Sequence, residues 1–349
     1  MIKTIEYERI DNSSIKGRYV LIDVRSPGEF KKATIPGAIN LPLFTDEERE
    51  EIGTVYVQEC RDKAKRLGVV AASKKLPEIY DRIQQLQKEY KSLIFLCERG
   101  GMRSSSIVSL LTSVGVNAFK VLGGYKGYRA YINESLKEVM NGVNFVVIHG
   151  NTGVGKTKIL KKLEEKGYDV LDLEGCANHR GSLLGSVGIG RQNSQKMFES
   201  LVYETLKNRK SNTVFVEAES KRIGYVFVPE HIHNAMRDGV HINVISCIES
   251  RVDNILEDYV YDNNDELIES VDKLSKYISA KNIEEYKSKI LGGLYREVIE
   301  DLMIKYYDPM YLNKKYDYLL ETDSSIMDNA VNDIINWYEE NKHEIDKEK

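Results

Sequence analysis

Cysteine is scarce in this chain, with four in 349 residues: Cys60, Cys97, Cys176 and Cys247. They lie far apart and form no C-x-x-C pair, which argues against a disulfide framework or a structural zinc site. Such usage suits a reducing compartment where a thiol stays reactive, and a cytoplasmic location is expected. Basic charge is not in excess either. Fifty Lys and Arg stand against 54 Asp and Glu, a formal net charge of −4. Any nucleic-acid site must therefore be a local basic patch. No run of about 18 apolar residues occurs, so no membrane span is expected. The opening MIKTIEYERI has no basic stretch leading into an apolar segment, so no signal peptide is visible. Internal repeats and low-complexity tracts are also missing.

What is present supports packed cores: 42% of residues are hydrophobic and 30% charged. The length suggests two domains. YVLIDV (19–24) predicts a buried strand and GAINLPL (37–43) a weaker one. Amphipathic spacing predicts helices over about 46–66 and 76–90. SLIFLC (92–97) reads as a parallel-sheet strand, SSSIVSLLTSVG (104–115) as a helix and AFKVLGG (118–124) as another strand. The pattern restarts with VNFVVIHG (143–150), followed by the strands NTVFVEAES (212–220) and VHINVISCI (240–248). Beyond about 250 the chain looks mainly helical, with HEIDKEK as a frayed tail. The expected class is α/β: an N-terminal parallel-sheet domain over 1–138, then a second α/β domain over 139–349 with a helical C-terminal region. NGVN (141–144) lies near their joint.

Residues 150–157 read GNTGVGKT, which matches G-x-x-x-x-G-K-[ST] between a predicted strand and a predicted helix. Gly150, Gly153 and Gly155 let the backbone turn tightly. The N–H groups around Asn151, Thr152 and Val154 can then converge on phosphate oxygens at the positive end of the helix. Lys156 adds a full charge near the terminal phosphate, and Thr157 can hold Mg²⁺. This P-loop pattern implies that a phosphate chain binds, and it leaves hydrolysis open. Glu217 and Glu219, after NTVFV, stand where an acid on the metal side is expected.

Residues 97–104 read CERGGMRS. Cys97 ends an apolar strand, two glycines shape a loop, and Ser104 opens a helix. Loop N–H groups and the helix N-terminus favour a thiolate, and Arg103 can grip an anion against it by paired hydrogen bonds. Glu98 beside the thiol either raises its pKa or points away. Two chemistries share this arrangement: chalcogen transfer through a persulfide-type intermediate, and phosphate-ester hydrolysis through a phosphocysteine. The C-x5-R spacing gives a loop roomy enough for a tetrahedral anion, like that of dual-specificity phosphatases.

CERGGMRS, preceded by DVRSPGEFKKATIPGAINLP (23–42), resembles the rhodanese family, in which Asp23 and Arg25 would brace the loop. Joined to LGGYKGYR (122–129) and GNTGVGKT, it resembles the tRNA 2-selenouridine synthase family. DLEGCANHRGS (172–182), SQKMFES (194–200), VEAESKRIG (216–224) and ESRVDNILEDYV (249–260) extend the likeness, which runs from about residue 18 to about 260. The resemblance implies a transferase converting wobble 2-thiouridine of tRNA to 2-selenouridine with selenophosphate, via S-geranylation from geranyl diphosphate.

On that resemblance Cys97 handles selenium, and residues 150–157 hold the prenyl diphosphate or a nucleotide. No tightly bound cofactor is implied beyond a Mg²⁺ ion at Thr157. The implied partners are thiolated tRNA and a selenophosphate synthetase, with no membrane. Lys126, Arg129, Arg180 and Arg222 become candidate tRNA contacts, with His179, Arg191 and Lys221 near them and Tyr125 and Tyr128 as stacking rings. Cys60, Cys176 and Cys247 read as packing residues. Two other readings stay open: a rhodanese-type sulfurtransferase, or a cysteine-dependent phosphatase-like module, each with a nucleotide-binding P-loop domain.

Overall fold

The computed structural model describes residues 2–12, 15, 17–181, 188–259, 264–311 and 316–345. Ser182, Val260 and residues 346–349, which the motifs and the tail above include, lie outside the described residues. The chain forms two compact units, Met1–Leu136 and Lys137–Lys349.

The first unit holds strands β1 (Thr4–Ile5), β2 (Tyr19–Asp23), β3 (Ile39–Asn40), β4 (Ser92–Leu96) and β5 (Ala118–Val121), in the order β1-β5-β4-β2-β3. All pairings are parallel. Its helices are α1 (Tyr7–Asp11), α2 (Pro27–Lys32), α3 (Asp46–Gln58), α4 (Arg61–Gln87), α5 (Met102–Ser113) and α6 (Gly124–Glu138). β4 is buried at every residue, which explains its unbroken apolar run: helices cover a parallel sheet on both faces. Ile22, Phe95, Ile83 and Val108 belong to one core cluster that joins the sheet to α4 and α5.

Two expectations change here. The first amphipathic helix stops at Gln58, because Glu59 and extended Cys60 break it and both their N–H groups turn back to Val55 O. No glycine or proline marks that break. The second expected helix begins not near residue 76 but at Arg61, and it runs straight through Pro77.

The second unit holds β6 (Asn144–His149), β7 (Val170–Leu171), β8 (Thr213–Glu217), β9 (Arg222–Ile223), β10 (Val226–Phe227), β11 (Val240–Ile245) and β12 (Leu320–Asp323). The main sheet is parallel, in the order β12-β11-β6-β8-β7, and β9 with β10 forms a separate antiparallel hairpin. Helices α7 (Lys156–Glu165), α8 (Leu173–Ala177), α9 (Gln195–Lys207) and α10 (Glu230–Arg237) are interleaved with these strands. There follow α11 (Ile248–Tyr259), α12 (Asn264–Lys273), α13 (Ala280–Leu291), α14 (Tyr295–Leu302), α15 (Asp308–Tyr311) and α16 (Met327–Ile345).

The region past residue 250 is thus not purely helical. β12 returns to the sheet edge beside β11, and its short polar sequence LETD hides it from pattern reading. β6 sits at the sheet centre, where the chain first builds toward β7 and β8 and then crosses to β11. That reversal opens a crevice at the carboxyl end of β6, where ligands bind in sheets of this kind. The P-loop sequence occupies it.

Candidate functional site

Cys97 follows β4 directly and is 3% exposed, with Sγ 3.1 Å from Ser104 Oγ on α5. The loop's shape is dictated from below. Gly124 lies so close that a Cβ there would stand 2.1 Å from Cys97 O, at φ +59°, which side chains rarely adopt. Tyr125 N–H donates to Cys97 O and Lys126 N–H to Glu98 O, each at 2.9 Å. The sequence LGGYKGYR is therefore a brace for the cysteine loop.

That role corrects several expectations. Tyr125 and Tyr128 are buried and cannot stack on a base, and Arg129 is buried with Nη2 donating to Asn133 Oδ1. Of that group Lys126 alone is exposed. Burial pushes the Tyr125 hydroxyl up to about 12. Arg103 does not lie free over the thiol: its guanidinium forks onto Glu29, with Nη1 to Oε2 at 2.6 Å and Nη2 to Oε1 at 3.2 Å. Burial works against the Glu29 carboxylate, yet Arg103 outweighs it and holds Glu29 below its ordinary range.

Arg25 lies between buried Asp23 (Nη2 to Oδ2, 2.7 Å) and Glu98 (Nη1 to Oε2, 3.1 Å), over the Tyr125 ring. Glu98 is thus drawn toward Arg25. Besides exposed Arg99 in the same loop, the loop backbone and the start of α5 remain to hold an anion at Cys97.

In the second unit the three loop glycines have φ of +145° (Gly150), +86° (Gly153) and +84° (Gly155). α7 begins at Lys156, so its first amides open onto the loop. Lys156 Nζ donates to Gly150 O at 2.9 Å. Thr157 Oγ1 donates to Glu174 Oε2 at 3.2 Å. The acid at Thr157 is therefore Glu174, on α8, and neither glutamate expected from the strand end.

Glu217 is fully buried, and desolvation with nearby Asp172 and Glu174 raises its pKa well above the ordinary value. Its Oε1 accepts from the Glu174 N–H at 2.8 Å, so it buttresses Glu174. Burial, then Glu219, pushes Glu174 itself up to about 8. Glu219 stays near: a Cβ on Gly181 would lie 2.5 Å from Glu174 Oε1 and 2.9 Å from Glu219 Oε1. The HRG segment 179–181 thus closes on the acids, with Arg180 half-buried.

The loop is also clamped from the helical region. Arg251 on α11 donates from Nε to Thr152 O at 2.9 Å and forks onto Asp308, which accepts from Asn151 Nδ2 at 3.2 Å. Asn254 Nδ2 donates to Gly153 O at 2.8 Å. Sequence reading missed this clamp, although Arg251 and Asn254 fall inside the quoted ESRVDNILEDYV.

Of the spare cysteines only Cys176 packs. Cys60 and Cys247 are exposed, with Cys60 at a helix break and Cys247 against Ser250. Arg222 and Lys221 are exposed, and Arg222 lies over the Phe227 ring on the hairpin.

Residues 7–131 match the rhodanese-like domain, and residues 143–294 match the tRNA 2-selenouridine synthase AAA domain. The tRNA 2-selenouridine synthase of Pseudomonas syringae pv. syringae (strain B728a) is 34% identical over 324 residues, covering 83% of this chain and 87% of that one. The chain belongs to the tRNA 2-selenouridine synthase family. It is therefore an enzyme built from a rhodanese unit and an AAA-type unit. The synthase of Alcanivorax borkumensis is 32% identical over 333 residues, covering 86% of this chain and 89% of that one. A solved N-terminal domain of an ATP/GTP binding protein from Clostridium difficile 630 shares 38% identity, with TM-score 0.35, covering 37% of this chain and 98% of that one. Within the synthase match fall the P-loop, Glu174, Glu217, Arg251 and Asn254, whereas Asp308 lies beyond it. No described helix is long and apolar enough to cross a membrane.

Proposed function

We propose that this enzyme converts 2-thiouridine at the tRNA wobble position to 2-selenouridine, through an S-geranylated base, with geranyl diphosphate and selenophosphate as co-substrates. The observation that carries the P-loop assignment is the acid beside it. Glu174 and Glu217 are both pushed toward their protonated forms, and Glu217 is spent on Glu174. Neither of these two acids is suited to activate water, whereas Lys156 and the loop amides can stabilise a leaving diphosphate.

The first step is a displacement. The thiocarbonyl sulfur attacks C1 of the prenyl donor, the C–S bond forms as the C–O bond breaks, diphosphate leaves, and the base loses its N3 proton to water. Lys156 and the loop N–H groups take up the diphosphate charge. A Mg²⁺ ion at Thr157 would add charge that draws off the leaving group. Alkylation matters because sulfide is a poor leaving group and a thiol is a better one.

In the second step selenium attacks the ring carbon, the C–S bond breaks and geranyl thiol departs; water then cleaves the Se–P bond and releases phosphate. Cys97 is assigned to this step as the thiol that seats the selenium donor, in a loop that Glu98, Arg25 and Gly124 hold. The phosphatase-like alternative loses support, since it needs Arg103 over the thiol and Arg103 is engaged by Glu29.

The tRNA surface is assigned to the hairpin, where Lys221 and Arg222 flank exposed Tyr225 (82%) and Phe227 (52%). Exposed rings among cations suit single-stranded RNA. Arg180 and Lys126 are further contacts in this reading. A selenophosphate synthetase would supply the selenium donor, in the cytoplasm. The test is incubation with thiolated tRNA and geranyl diphosphate, followed by nucleoside mass spectrometry. A hydrophobic nucleoside with free diphosphate is expected; ATP turnover with no modified nucleoside would overturn the assignment.

A further inference from the structure

Beside the phosphate loop lies a cavity of about 210 Å³ that none of the steps above uses. Its walls come from the ends of four strands: His149 and the loop residues Gly150 and Asn151 after β6, Ala218 and Glu219 after β8, Asn243 in β11, and Tyr316 and Tyr318 before β12. His149, His241 and Asn243 occupy alternate positions on paired strands, so they share one face of the sheet.

The rings are closely set. The His149 ring lies 4.4 Å from Tyr316 and 5.3 Å from Tyr318, centroid to centroid, and His241 lies 4.6 Å from Tyr316. His149 is also fixed in orientation. Its Nε2 is 2.8 Å from His241 Nδ1, and His241 Nε2 is 3.0 Å from Arg237 O. A carbonyl only accepts, so His241 carries its proton on Nε2. In the neutral pair His149 Nε2–H then donates to His241 Nδ1.

We propose that this cavity seats the 2-thiouracil ring of the substrate base, next to the phosphate loop; the proposal rests on the transferase reading above. Three features select a flat polar ring. The volume falls below the roughly 300 Å³ at which pockets for larger ligands begin, so it takes one ring and not a whole nucleotide. Its walls include three aromatic rings, His149, Tyr316 and Tyr318, of the kind that stack on bases. Its edges carry hydrogen-bonding groups: the Glu219 carboxylate, the two phenols and Asn243. The Asn243 amide nitrogen donates to Glu321 Oε2 at 2.9 Å, which keeps its oxygen available to accept from a ring N–H. A prenyl tail would leave these groups unsatisfied. Because Gly150 and Asn151 belong both to the cavity wall and to the phosphate loop, a base seated there brings its sulfur to the loop that holds the leaving diphosphate.

The test measures binding, without turnover, on the full chain. Anticodon stem-loop RNAs with uridine or 2-thiouridine at the wobble position, and geranyl diphosphate alone, are titrated against wild type, Tyr316→Ala and Tyr318→Ala. Both tyrosines are about one-third exposed, so the fold should tolerate their loss. The expected result is that wild type prefers the thiolated RNA. Each variant should lose that preference, with binding about tenfold weaker for Tyr316→Ala, while geranyl diphosphate binding is unchanged. Unchanged RNA binding in both variants overturns the proposal. So does loss of geranyl diphosphate binding with RNA unaffected, which would give the cavity to the prenyl tail. If wild type binds no geranyl diphosphate but the RNA arm behaves as expected, the donor assignment fails and the base seat stands.

Discussion

At the Cys97 loop the guanidiniums of Arg25 and Arg103 are already matched by carboxylates, Asp23 and Glu98 for one and Glu29 for the other. At the Lys156 loop the cation donates to a backbone carbonyl, while Asp172, Glu174 and Glu217 crowd nearby with raised pKa values. Both loops join a strand's carboxyl end to a helix, and both depend on glycines at positive φ. They differ in where charge is settled. At the cysteine loop Arg25 and Arg103 are neutralised by neighbouring carboxylates, which hold the loop around one thiol. The phosphate loop keeps a strong cation beside acids held back from ionising, an arrangement that a bound polyanion or metal ion completes.

The sharpest way to break the comparison is Lys156→Ala. Losing the cation on the leaving diphosphate should slow geranyl transfer about 10²–10³-fold, about 3–4 kcal/mol in the barrier, measured as geranylated nucleoside per unit time. A slightly smaller effect is expected for Arg251→Leu. It leaves Asp308 without its buried partner and frees Thr152 O, which should cost about 3 kcal/mol in urea unfolding followed in the second unit. Gly124→Ala tests the cysteine loop's rigidity. Its Cβ would collide with Cys97 O, so a loss of about 2–3 kcal/mol is expected for the first unit, with the P-loop unit unaffected. An equal loss in both units would contradict the two-unit picture.

A further effect is a slope against pH. Glu174 rises from its ordinary 4.5 to about 8 in the folded enzyme, chiefly by burial. A folded acid that holds its proton longer than the unfolded chain does makes stability fall as pH rises between those two values. Glu174→Gln should flatten the fall in thermal midpoint from about pH 5 to pH 8. An unchanged fall in the variant would show that Glu174 is ionised throughout that range.

Much of this was readable in advance where a motif carries its own geometry. The strand, glycines and helix of GNTGVGKT stand as the spacing implies, because phosphate loops depend on local backbone shape. β4 and β6 were equally plain, since burial on both faces leaves an apolar run. What the residue order hid was partnership at long range. Arg103 belongs to Glu29, 74 positions away, and Arg251 to Asp308, 57 away. Glu174 escaped notice because it approaches Thr157 from a five-residue helix, not from a strand end. Tyr125 and Tyr128 misled because an aromatic among basic residues looks like a nucleic-acid surface until the turn below Cys97 is seen to bury it. Tyr225 and Phe227, on a hairpin of two-residue strands, give too short a pattern to be noticed.

The central claim is that the two loops serve successive steps at one tRNA sulfur, and separated substrates test it most directly. Cys97→Ala and Lys156→Ala are each given thiolated tRNA with both co-substrates, and separately tRNA already geranylated with selenophosphate. Cys97→Ala should accumulate geranylated tRNA and form no 2-selenouridine from either substrate. Lys156→Ala should form none from thiolated tRNA yet convert the geranylated tRNA as wild type does. Formation of 2-selenouridine by Cys97→Ala, or failure of Lys156→Ala on geranylated tRNA that wild type converts, would contradict the division of labour.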